Sequence, residues 1–83
     1  MKISDKLTVE RQTYQVFNNI PADYYDDINF IRNFIERLID QAFTYDEIIE
    51  GVKAACEKRN LPYLSELITN EIELMRNYNA EHR

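Results

Sequence analysis

Glycine, proline and cysteine are scarce in this 83-residue chain, which has one glycine, two prolines and one cysteine. A many-stranded sheet needs turn residues between its strands, whereas three or four helices need only a few breaks, so this shortage favours an all-α fold. Cys56 has no partner for an internal disulfide, which agrees with a reducing compartment. No apolar run approaches the ~20 residues that span a bilayer, and the opening MKISDKLTVERQ lacks the apolar stretch of a signal peptide. The expectation is a cytoplasmic protein without a membrane segment. Also missing are a glycine-rich phosphate loop, CxxC, HExxH and an acidic calcium loop, so no metal or cofactor is expected.

The residues present suit a single helical domain spanning 1–83, with 45% hydrophobic and 12% aromatic content. The expected architecture is a small up-and-down four-helix bundle with helices over roughly 8–18, 22–42, 45–59 and 62–78. In the first, Val9, Thr13, Val16 and Ile20 share a helical face, although LTVERQTYQVF also reads as strand material. The second carries a longer stripe: Tyr24, Ile28, Ile31, Ile35, Leu38 and Ala42 step by fours and threes after Pro21.

Thr44 and Glu47 form a T-x-x-E capping box that opens the third helix. Its apolar face is Tyr45, Ile48, Ile49, Val52, Ala55 and Cys56. Gly51 and Ala55 leave a shallow strip on which another helix can come close; the plainer alternative is a tolerated surface glycine costing ~1 kcal/mol relative to alanine. Lys58, Arg59, Asn60 and Pro62 then mark one helix end and the next start, with Asn60 suited to a left-handed backbone. Leu64, Ile68, Met75 and Tyr78 form the expected seam of the fourth helix, flanked by Leu67, Ile72 and Leu74, and the tail from Asn79 to Arg83 is expected to fray.

Candidate chemistry is thin. His82, the sole histidine, has no nucleophile or carboxylate constellation around it, and no catalytic residue is assigned. Cys56 lies on an apolar face, where a thiol acts as core filler; a reactive thiolate needs exposure and positive neighbours, for which Lys53 and Arg59 are the candidates. Fifteen acidic against ten basic residues give a net charge of −5, which disfavours long-range attraction to nucleic acid and suits a basic protein partner. If DNA is bound, Lys53, Lys58, Arg59 and Arg76 are the cations to do it.

Two features stand apart from a purely structural pattern. Glu71 interrupts the apolar row of the fourth helix. Buried, it needs Arg32, Arg37, Arg59 or a tyrosine hydroxyl as partner; the preferred expectation is that the core thins and Glu71 reaches solvent. The second feature is an acidic and aromatic face of Asp23, Asp26, Asp27, Phe30 and Phe34, opposite the apolar stripe. It reads either as a protein-binding patch or as a second buried side, with Phe30 and Phe34 packed against the N-terminal segment.

The segment FTYDEIIEGVKAACEKRNLPYLSELI resembles the C-terminal domain of the DnaD/DnaB primosomal family of Gram-positive bacteria and their phages, over roughly residues 34 to 72. The likeness lies in the acidic helix start at Asp46 and Glu47, the small residues Ala54 and Ala55, and Tyr63-x-x-x-Leu67. The tryptophan that follows in that family is replaced by Glu71, and the chain is acidic where a DNA-binding relative is basic. The resemblance therefore implies protein–protein contact more than DNA binding. Asn60 to Ile72 also looks like the helical hairpin of Sda-type checkpoint inhibitors of sporulation kinases. Together these features lead to the expectation of a small acidic, non-enzymatic module that binds and regulates or inhibits a bacterial or phage protein, with a symmetric dimer as an open alternative. The other class is a DNA-replication or nucleic-acid-associated module.

Overall fold

The computed structural model describes residues 7–81, the last two by backbone only, and His82 and Arg83 lie outside the described residues. The described residues form an all-α four-helix bundle: α1 (Val9–Asn19), a 3-10 turn (Ala22–Tyr24), α2 (Ile28–Asp40), α3 (Tyr45–Lys58) and α4 (Pro62–Glu81).

Each helix start has a local cause. The Thr8 hydroxyl accepts from Arg11 N at 3.1 Å to open α1. At α3 the capping box is complete: Glu47 N donates to Thr44 Oγ1 at 3.1 Å and Thr44 N donates to Glu47 Oε1 at 2.8 Å. The start of α2 departs from expectation. Pro21 leads only into the 3-10 turn, and Asp27 then caps a new helix by accepting from Asn29 N at 2.9 Å and Phe30 N at 3.2 Å. Tyr25 turns inward in place of Tyr24: its hydroxyl donates to Phe17 O at 2.7 Å and its ring lies 4.9 Å from that of Phe17. Tyr24 and Ile28, expected in the stripe, are exposed.

With no glycine at either site, α2 and α3 both end in a Schellman turn. Ala42 (φ 75) and Asn60 (φ 58) take the left-handed position. Phe43 N donates to Leu38 O and Ala42 N to Ile39 O; Leu61 N donates to Cys56 O and Asn60 N to Glu57 O. Asn60 suits this backbone, whereas Ala42 pays a steric cost in it. Ala42 therefore leaves the stripe and faces solvent.

The single glycine is used elsewhere. A Cβ built on Gly51 falls 2.6 Å from Val9 Cβ and 2.8 Å from Glu10 N, so α1 docks on α3 at a distance that only glycine permits. Between the two explanations for Gly51, the close helix approach holds. The core gathers Val9 and Phe17 of α1, Ile31, Phe34, Ile35 and Leu38 of α2, Ile48, Val52, Ala55 and Cys56 of α3, and Leu64, Ile68 and Ile72 of α4. Thr13, also buried, donates its hydroxyl to Val9 O at 2.7 Å and so brings no unpaired polar group into this core.

In α4 the seam differs from expectation. Leu64, Ile68, Glu71 and Ile72 are buried, Met75 is half-buried and Tyr78 is 61% exposed. The helix also continues past Tyr78. At 20 residues against 13 in α2 and 14 in α3, its last turns outrun the elements that bury it. Asn79 is held rather than frayed, donating to the Tyr45 hydroxyl at 2.5 Å, while Arg76 pairs with Asp46 at 2.6 Å. Those contacts set the C-terminal half of α4 beside the start of α3, as an antiparallel hairpin requires.

Candidate functional site

The five residues expected to form one protein-binding face are divided by the fold. Asp23 and Asp26 are exposed, and Asp27 is exposed while its carboxylate caps α2. Phe34 is buried at 7% exposure and Phe30 is half-buried. Both rings line a shallow cleft of roughly 370 Å³ against Val16 and Ile20, on the side of α1. The acidic and aromatic face is therefore divided: the rings turn to the α1 side, and Asp23, Asp26 and Asp27 do not line that cleft.

The cations considered for DNA are mostly occupied. Lys58 Nζ lies 2.5 Å from Glu10 Oε2, and this hydrogen bond with its attached charge raises the lysine pKa. Arg76 holds Asp46 and also reaches Glu73 at 3.3 Å. The Arg59 guanidinium sits 4.9 Å above the centroid of the Tyr14 ring. Lys53 is exposed. Cys56 is buried, and desolvation raises its thiol from the ordinary 9.0 to about 11, which leaves little thiolate at neutral pH. Among the described residues no group of three or more His, Cys, Asp or Glu side chains is placed to hold a metal ion, and no helix is long and apolar enough to cross a membrane.

Contrary to expectation, Glu71 does not reach solvent. It is buried at 6% exposure, and Arg32 Nε donates to its Oε2 at 2.5 Å. Arg32, one of the partners considered for a buried Glu71, is itself 53% exposed along its side chain. This pair bridges α2 and α4 at the floor of a groove of roughly 840 Å³. One wall is Leu74, Met75 and Tyr78 of α4; the other is Glu36, Ile39 and Asp40 of α2. Leu74 and Tyr78 are each 61% exposed, and Ile39 and Met75 are half-buried. Neither Glu36 nor Asp40 has an ion-pair partner among the described residues.

Sequence reasoning missed this groove because Tyr78 falls in the apolar row and Leu74 beside it, so both read as core. No signal in the expected helix lengths pointed to it, since the second helix was expected to be longer than the fourth; the groove follows from α2 starting only at Ile28 while α4 runs to Glu81. No protein-family model matches the chain, nor does any curated protein or solved structure.

Proposed function

We propose that this chain is a small, acidic, non-enzymatic protein-binding module that regulates or inhibits its partner. The observation that carries the reading is the exposure of Leu74 and Tyr78, four residues apart on α4, beside the open α2–α4 groove. Burying a large apolar side chain is worth ~1.5–3 kcal/mol, so an adjacent pair held out of the core is what a binding surface needs. The net charge of −5 favours a partner with a basic surface. The resemblances to primosomal and checkpoint-inhibitor domains point the same way and suggest a bacterial or phage setting, and the lone cysteine suits a reducing cytoplasm.

The nucleic-acid reading is the weaker one, since Lys58 and Arg76 already hold carboxylates of this chain. Fluorescence anisotropy with labelled DNA at low salt is expected to show no change. The protein-binding reading is tested by affinity capture from the cells that make this protein, comparing the native chain with a Leu74→Asp/Tyr78→Asp variant. A partner retained in stoichiometric amount by the native chain is expected. Its absence, with light scattering also showing no self-association, overturns the reading.

A further inference from the structure

We infer that the α2–α4 groove receives one amphipathic helix of a different protein, its apolar stripe against α4 and its Lys/Arg flank along α2. The inference rests on the protein-binding reading above and names where and what the module binds.

The two walls of the groove differ in chemistry. Leu74, Met75 and Tyr78 fall at positions i, i+1 and i+4 of α4 and make an apolar wall, with Met75 able to adapt its thioether to the incoming side chain. On α2, Ile39 lies between Glu36 and Asp40, so the opposite wall is apolar low down and carries two carboxylates. At the floor the Arg32–Glu71 pair is neutral as a unit, which leaves Glu36 and Asp40 as the uncompensated charges of the groove. An occupant matched to these walls is apolar on one side and cationic on the next, which is the pattern of a basic amphipathic helix.

Geometry sets the size. From Glu71 to Asn79 the groove follows about two turns of α4, or ~12 Å of rise, enough for a partner helix of about three turns. Strand addition is disfavoured, because the described residues offer no sheet edge. An anionic lipid surface meets Glu36 and Asp40 as like charges. A second copy brings another chain of charge −5, with two further carboxylates that lack cationic partners among the described residues, to the same groove.

The test uses the full chain, isotopically labelled, and two synthetic three-turn peptides with the same leucine stripe, one flanked by lysines and one by glutamates. The lysine peptide is expected to bind about tenfold tighter at low salt, with shift changes centred on Ile39, Leu74, Met75 and Tyr78. Glu36→Lys/Asp40→Lys changes only exposed side chains and is expected to reverse the preference while leaving the remaining spectrum in place. Equal affinity for the two peptides, shifts on another face, or no binding by either overturns the inference. A native dimer that Leu74→Asp dissociates also overturns it, since the occupant is then a second copy. If the cellular partner is captured equally by native and Glu36→Lys/Asp40→Lys chains, the groove assignment fails while the protein-binding reading stands.

Discussion

Replacing Gly51 with alanine sets two effects of opposite sign against each other. Alanine is the better helix former by ~1 kcal/mol, so at an ordinary exposed helix site the change stabilises. Here the new Cβ lands 2.6 Å from both Val9 Cβ and Val9 Cγ1, and 2.8 Å from Glu10 N. Carbon atoms pack best at about 3.5–4.0 Å, so the gap must widen by roughly 1 Å. Rotation of Val9 moves Cγ1 but neither its Cβ nor the backbone nitrogen of Glu10. The start of α1 must therefore move as a unit, loosening buried Val9 and the Glu10–Lys58 pair. Overpacking of this kind costs ~1–3 kcal/mol, and because backbone is involved the upper half of that range applies. Net destabilisation of ~1–2 kcal/mol follows, a fall in Tm on the order of 5–10 °C for a chain of this size. Urea unfolding followed by circular dichroism measures it, with Lys53→Ala as an exposed control on the same helix expected to stay within ~0.5 kcal/mol. A Gly51→Ala chain more stable than the native one refutes the close docking of α1 on α3.

Three further predictions come from other residues. Ala42→Gly relieves a left-handed alanine at the end of α2 and is expected to raise stability by ~0.5–1 kcal/mol after the added flexibility of the unfolded chain, read from the urea midpoint. Arg32→Met leaves Glu71 buried without its cation, whereas Glu71→Leu leaves Arg32 free to reach water. The arginine change is therefore expected to cost more, ~1–2 kcal/mol once Arg32's exposure is discounted, and the opposite ranking in urea unfolding defeats the buried-pair reading. Cys56 ionises near 9.0 in the unfolded chain but near 11 in the fold, so its contribution to stability is complete below pH 9 and is lost as pH rises towards 11. The stability difference between native and Cys56→Ala chains is expected to shrink over that window, and a constant difference removes the desolvated thiol as its cause.

The parts of the fold legible in the sequence are those with local causes. Thr44 and Glu47 cap α3 through contacts three residues apart, and Asn60 takes the left-handed turn its side chain favours, so a short window sufficed for each. The start of α2 was not legible in this way. Pro21, Asp23 and Asp27 all read as helix-start residues, and the choice among them was made by Tyr25, whose hydroxyl reaches Phe17 O in another helix. Periodicity likewise placed Phe30 and Phe34 off the main stripe, but it cannot say what lies on that side, which is α1 across a shallow cleft. Glu71 was misjudged for the same reason: its burial depends on Arg32, 39 residues away in sequence.

The position of α1 also bears on where a partner can bind. Gly51 brings α1 onto α3, and the Phe17–Tyr25 and Gln12–Gln41 contacts bring it over the Phe30 and Phe34 side of α2. That placement turns the Phe30 and Phe34 rings toward α1, across a shallow cleft from Val16 and Ile20. It leaves the far side uncovered, where α2 meets α4 through the Arg32–Glu71 pair and α4 runs on past the shorter helices. The closely packed α1–α3 contact and the open α2–α4 groove are thus two consequences of one placement. Loosening the first through Gly51→Ala leaves Glu36, Ile39, Asp40 and Leu74 in their own helices, so binding at the groove is expected to outlast a loss of stability at the opposite side of the bundle.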